Sequence, residues 1–77
     1  MPRDYWVTYS GRQAGQVIAG LQVLLEGNKL DEQEGEAARS IQRKLRSASL
    51  KGEDITMVPL NGKEHELVSQ VEAALWR

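Results

Sequence analysis

The chain has 77 residues, a net charge of -1 at pH 7 and no cysteine. This length allows one small domain over residues 1–77, and the lack of cysteine excludes disulfides, a thiolate nucleophile and a cysteine zinc site. The nearly balanced charge excludes a protein that is basic all round and coats nucleic acid.

The N-terminal third of the chain predicts one strand and one helix. The aromatic and β-branched run over residues 5–9 is typical of a strand. Ser10 and Gln13 have the spacing of a capping box, which satisfies the first free amides of a helix. Apolar residues then recur with the period of a single helical face. The helix ends near Gly27, which we expect to adopt the left-handed conformation at its C-terminus.

The middle of the chain predicts a second helix and a second strand. Asp31 and Glu34 again have capping-box spacing, and the helix that they begin ends near Gly52. Residues 55–58 form a short run typical of a strand. Pro59 cannot donate a ladder hydrogen bond, so it marks the end of that strand or an edge of the sheet.

The C-terminal segment predicts a third capped helix, which begins at Asn61 and has Glu64 at the capping position. The order is therefore β-α-α-β-α. Only residues 27–30 join the first two helices, so those helices are antiparallel neighbours and the two strands must run in opposite directions. We expect an α+β fold in which three helices cover one face of a short antiparallel sheet that dimerisation can extend.

The two strands carry apolar side chains on both faces, and the helices can cover only one of them. Trp6 points away from the face that holds Tyr5 and Tyr9. A two-stranded sheet is also marginally stable by itself. We therefore expect a homo-oligomer or a foreign protein to cover the second face, and we take Tyr5, Trp6 and Tyr9 as candidate partner-binding residues. The alternative is a partly exposed face over which the C-terminal residues of the same chain fold.

Acidic and histidine residues do not form a catalytic or metal site. His65 is the only imidazole, and its neighbours Glu64 and Glu66 point about 100° away from it on a helix. The acidic run over residues 31–36 fails as a calcium loop because its glycine is the fifth residue instead of the sixth. We expect no enzyme activity, no metal and no cofactor.

Two helix N-termini carry a nearby cation, which is an arrangement that can hold an anion. The candidate anion-binding residues are Ser10, Gly11 and Arg12 at the first helix, and Asn61, Gly62 and Lys63 at the third. Antiparallel strands place these two groups at opposite ends of the domain, so one protomer could not clamp a single nucleotide between them.

A basic run lies between residues 39 and 51 and contains no acid. Arg39, Arg43 and Arg46 fall on one side of the second helix, opposite its apolar stripe. This stripe is either a solvated face or a contact for phosphates or for an acidic protein surface. The acidic start of the same helix argues against reading DNA bases in the major groove.

Small residues at positions 11, 15 and 19 recur every four residues on the first helix and allow another helix to pack closely. We expect that helix to belong to the same chain, and the alternative is a helix from another chain.

We expect a small non-enzymatic binding or regulatory module, such as an inhibitor, an adaptor or an assembly factor. It would act through protein–protein contacts as a homo-oligomer, using the aromatic strand and the arginine stripe. The alternative is a protein that binds a nucleic-acid backbone or an anionic nucleotide through the same arginines and the helix N-termini. No apolar run approaches the ~20 residues that span a bilayer, and the first residues lack the apolar core of a signal peptide. We therefore expect a cytoplasmic protein with no membrane partner.

Overall fold

A computed structural model gives the structure of the protein over residues 5–49 and 55–76. The elements follow the predicted order and are β1 (Tyr5–Ser10), α1 (Gly11–Glu26), α2 (Glu32–Ser49), β2 (Ile55–Leu60) and α3 (Gly62–Leu75). The predicted end of the second helix near Gly52 lies outside the described residues.

β1 and β2 form a two-stranded antiparallel sheet, which confirms the predicted α+β fold class. Trp6 pairs with Pro59, and Thr8 pairs with Met57. β2 is longer than predicted because it continues through Pro59 and ends at Leu60. Proline is tolerated at this position because each strand of a two-stranded sheet is an edge strand.

The core lies on one face of the sheet, between the strands and the helices. Tyr9 of β1 and Val58 and Leu60 of β2 are buried on that face. α2 contacts both other helices and β2, so it occupies the centre of the packing. The buried helical residues of the core are Ala14, Val17, Leu21, Ala37, Ala38, Ile41, Leu45, Leu67, Val68 and Val71. Their positions follow the apolar periods in the sequence.

The predicted capping boxes are present at the helix starts. In α1, the Gln13 amide donates to Ser10 Oγ at 3.2 Å, and the Ser10 amide donates to Gln13 Oε1 at 3.1 Å. The same pair of bonds joins Asp31 and Glu34 ahead of α2, at 2.8 and 3.2 Å. Each box satisfies two backbone donors that the helix leaves free, and so fixes where the helix begins.

The turn between α1 and α2 differs from the prediction at one residue. Gly27 was expected to be left-handed, but its φ is -83°. Asn28 takes the left-handed conformation instead, with φ of 53°. Asparagine tolerates this region better than most residues because its short polar side chain can form local hydrogen bonds.

The small-residue stripe of α1 does not pack against another helix of this chain, so that prediction was wrong. A Cβ added at Gly11 or Gly15 would meet nothing within 4 Å. The close approach occurs at Gly20 instead, where an added Cβ would lie 3.0 Å from Val71 Cγ1 of α3. The stripe therefore faces outward, and α3 crosses α1 nearer its C-terminal half.

Candidate functional site

The face of the sheet opposite the helices carries two exposed large apolar side chains. Trp6 is 62% exposed and Met57 is 63% exposed. Trp6 lies across the strand pair from Pro59, and Met57 lies across from Thr8. We call these four residues the outer sheet face. The described part of the chain leaves this face open.

The two tyrosines of β1 point to the opposite side of the sheet. Tyr9 is only 2% exposed and lies 6.3 Å from the ring of Trp76 at a tilted angle. Tyr5 is half exposed, and its ring stacks on His65 with centroids 4.4 Å apart. The structure therefore separates Tyr5 and Tyr9 from Trp6, and burial removes Tyr9 from the candidate partner-binding residues.

A shallow groove connects the outer sheet face with α2. The groove has a volume of about 400 Å³, and Met57 and Pro59 form its sheet side. Arg43 and Ser47 form part of its helix side. Met57 and Pro59 thus belong both to the outer sheet face and to a groove that Arg43 lines from the other side.

The three arginines predicted to form a stripe lie together on α2. Arg39, Arg43 and Arg46 are exposed and line a second groove of about 500 Å³ with Gln42 and Ser47. No described acidic group forms a salt bridge with any of them. We call these three residues the arginine patch. Because Arg43 lines both grooves, the patch is continuous with the outer sheet face.

Lys44, the neighbour of Arg43, does not belong to the patch because it is paired. Lys44 Nζ lies 2.8 Å from Glu64 Oε1 and also donates to the carbonyl oxygen of Pro59 at 3.0 Å. Glu64 is 2% exposed and accepts a hydrogen bond from the Asn61 amide at 2.9 Å. The sequence did not predict this pair, because it joins residues 20 positions apart on two helices.

Burial and hydrogen bonding act in opposite directions on the Glu64 carboxyl. Burial by itself raises the pKa of Glu64, because the charged form loses its hydration. Hydrogen bonds from Lys44, Ser40 and the Asn61 backbone, together with the positive charge of Lys44, outweigh burial and lower the pKa below 4.5. The carboxyl is therefore ionised at neutral pH and holds α3 to α2.

Each of the two predicted anion sites contains a capping box, which already satisfies two of the backbone amides there. The Ser10 side chain accepts from the Gln13 amide, and the Asn61 side chain accepts from the Glu64 amide. The Glu64 carboxylate also occupies the start of α3, where it would repel a second anion. Gly11 and Gly62 are exposed beside these caps, and so are the adjacent cations Arg12 and Lys63. The two groups lie at opposite ends of the sheet, as the antiparallel register requires.

A third groove, which is apolar and which the sequence did not predict, lies between α1 and α3. Val23 and Leu75 are exposed on its two sides, and Gly20 lies at its base. Trp76 extends this surface, and its Nε1 donates to Gln16 Oε1 at 2.8 Å. The periodic apolar residues of α1 and α3 thus exceed what the intramolecular core buries.

Within residues 5–49 and 55–76, no three histidine or acidic side chains come close enough together to hold a metal ion. Among the helices of these ranges, none combines the length and the apolar character needed to cross a membrane. Comparisons of the chain with protein-family models, with curated proteins and with solved structures gave no match.

Proposed function

We propose that this chain is a small non-enzymatic binding module that acts as a homo-oligomer and recognises a partner protein through the outer sheet face and the arginine patch. The observation that carries the proposal is the exposure of Trp6 and Met57 on one face, which residues 5–49 and 55–76 leave open. Tryptophan, methionine and arginine are enriched at protein interfaces, where a large buried side chain supplies much of the binding energy.

The charge beside this face defines the chemistry of the partner. Arg39, Arg43 and Arg46 are exposed, and none of them forms a salt bridge with a described acidic side chain. A partner that offers an apolar patch flanked by aspartate or glutamate would match both parts of the surface. Such complementarity raises the association rate and excludes partners with the wrong charge.

Site-specific photo-crosslinking in cells tests this proposal. A photoreactive amino acid replaces Met57 in one variant and the exposed Ser69 of α3 in the matched control. We expect Met57 to yield a discrete protein adduct that Ser69 does not yield. The triple substitution Arg39→Glu, Arg43→Glu and Arg46→Glu should abolish that adduct. Equal labelling at both positions, or an adduct unaffected by charge reversal, would contradict the proposal.

The continuous arginine patch also supports a second candidate function, binding to the phosphate backbone of a nucleic acid. Direct titration of labelled random duplex and single-stranded DNA at about 50 mM and about 200 mM salt tests it. Backbone binding predicts affinity at low salt that falls steeply as salt rises, because cations are released from the phosphates. The absence of binding at low salt would eliminate this function.

A further inference from the structure

The pairing of β1 with β2 determines which backbone groups remain free at the two edges of the sheet. In an antiparallel pair, residues alternate between those that bond to the partner strand and those that face away. Pro59 has no N–H, and Lys44 Nζ reaches its carbonyl oxygen at 3.0 Å from outside the pair. Pro59 and its partner Trp6 therefore direct their backbone groups toward the outer edges.

The same alternation places Thr8 and Ser10 with Trp6 on the free edge of β1. Ser10 is consistent with this assignment, because its amide donates to Gln13 Oε1 and not to β2. Among the described residues, neither Trp6 nor Thr8 forms a backbone hydrogen bond in a turn, loop or helix cap. As far as the described residues go, this edge of β1 is free and offers N–H and C=O groups at Trp6 and Thr8.

The free edge of β2 is closed to a further strand. Pro59 supplies no donor there, and Lys44 already occupies its acceptor. Arg43 also lines the groove next to β2, so pairing β2 with the β2 strand of a second copy would bring like charges together. The edge of β1 lacks these obstacles to strand pairing, because Tyr5–Ser10 contains no proline and no charged residue.

We propose that a second copy of this chain pairs its β1 strand antiparallel with β1, which gives a four-stranded sheet in the order β2-β1-β1-β2. A two-fold axis through Val7 places Trp6 opposite the partner's Thr8, and each such pair exchanges both N–H···O bonds. This inference rests on one part of the proposed function, the homo-oligomer, and does not depend on the partner-binding surface. The outer sheet face stays open and doubles in area.

This register predicts one specific cross-link. Val7 faces its own copy as a non-hydrogen-bonded pair, for which the Cα atoms lie about 4.5 Å apart, within the range of a disulfide. The chain has no cysteine, so a single Val7→Cys substitution introduces a unique thiol. The matched control is Met57→Cys, which places an exposed thiol on the outer strand.

In a glutathione redox buffer, we expect the Val7→Cys protein to form a covalent dimer at least about tenfold faster than the Met57→Cys protein. Circular dichroism of the reduced proteins verifies that both are folded. Equal rates, or faster dimerisation of the Met57→Cys protein, would overturn the proposed register.

A second measurement does not depend on a new thiol. Sedimentation equilibrium compares Thr8→Pro, which removes an edge N–H, with Thr8→Ala, which keeps it. We expect proline to raise the dimer dissociation constant at least about tenfold and alanine to change it less than about threefold. A wild-type protein that stays monomeric at all concentrations, or a Thr8→Pro protein that dimerises normally, would refute the edge pairing.

These outcomes are distinguishable from failure of the partner-binding surface. A monomer that still yields the Met57 photo-adduct would overturn the edge pairing and the homo-oligomer, and would leave the partner-binding surface intact. A dimer without that adduct would overturn the partner surface alone.

Discussion

Lys44 Nζ on α2 lies 2.8 Å from Glu64 Oε1 at the start of α3, where the carboxylate is almost wholly buried. The same ammonium group reaches the carbonyl oxygen of Pro59 at 3.0 Å. One lysine therefore joins two helices and the edge of the sheet, and the Glu64 carboxylate also accepts from the Asn61 amide. This pair fixes the position of α2 relative to β2, and with it the groove that connects the outer sheet face with the arginine patch.

Removing Lys44 should destabilise the protein more than removing the charge of Glu64. Lys44→Met leaves a buried carboxylate without its cation, and we expect a loss of about 2–3 kcal/mol in the free energy of unfolding. Glu64→Gln removes the charge but keeps an oxygen that can accept from the Asn61 amide, so we expect a loss of about 1–2 kcal/mol. Urea unfolding at neutral pH measures both. A larger loss for Glu64→Gln than for Lys44→Met would show that Glu64 does not depend on this cation.

The lowered pKa of Glu64 also predicts how stability changes with pH. Its stabilising contribution is present above the ordinary pKa of 4.5 and is lost as the pH falls through the lower pKa of the folded protein. In Lys44→Met, burial should dominate and raise the pKa of Glu64 instead. The stability deficit of this variant relative to wild type should therefore shrink on acidification from neutral pH to about pH 4.

The control for this pH series is Lys29→Met, which changes an exposed lysine in the turn after α1. Its difference from wild type should stay constant over the same range. A deficit of Lys44→Met that grows on acidification would contradict the assignment of the lowered pKa to the Lys44 contact.

Local sequence patterns predicted most of the fold because the interactions that define it are local. The Ser10–Gln13 box is formed between residues three positions apart, and the apolar period of each helix determines its buried face. The antiparallel sheet followed from the short link between the first two helices. The conformation of Gly27 was not predictable in this way, because either Gly27 or Asn28 could have supplied the left-handed residue.

The candidate site could be predicted only in part, because it depends on which long-range contacts form. The alternation of side chains along a strand correctly placed Trp6 and Tyr9 on opposite faces of the sheet. It did not predict how deeply Tyr9 is buried or that its ring lies next to Trp76. Helical geometry placed Arg43 on the same side as its neighbouring arginines. Its proximity to Met57 depends on how α2 packs against β2, and local patterns carry no information about that packing.

Two glycines on α1 provide a matched test of the α1–α3 contact. Gly15→Ala meets nothing within 4 Å, so the gain in helix propensity should stabilise the protein by about 0.5–1 kcal/mol. Gly20→Ala makes the same gain, but its methyl group would lie 3.0 Å from Val71 Cγ1. We expect this crowding to cancel or reverse the gain, with a net loss of up to about 1 kcal/mol. Thermal unfolding compares the two, and equal stabilisation by both would show that α3 does not approach α1 at Gly20.

The hydroxyl and the ring of Tyr9 should contribute differently to the free energy of unfolding. Burial raises the pKa of Tyr9 far above its ordinary value of 10.0, and the Glu72 carboxylate acts in the same direction, so the phenol stays neutral. Its oxygen is buried without a hydrogen-bond partner of good geometry among the described residues. Tyr9→Phe should therefore change the free energy of unfolding by less than about 0.5 kcal/mol, or raise it.

The matched variant Tyr9→Leu keeps an apolar side chain but removes the ring that neighbours Trp76, and we expect it to lower the free energy of unfolding by about 1–3 kcal/mol. Urea unfolding of both variants at neutral pH separates the ring from the hydroxyl. A loss of more than about 1 kcal/mol in Tyr9→Phe would instead show that the hydroxyl donates to Glu72 in solution, because an unpartnered hydroxyl can be removed at little cost. In that case, Glu72→Gln should lower the free energy of unfolding of the protein that has Tyr9, and should not change that of the Tyr9→Phe variant.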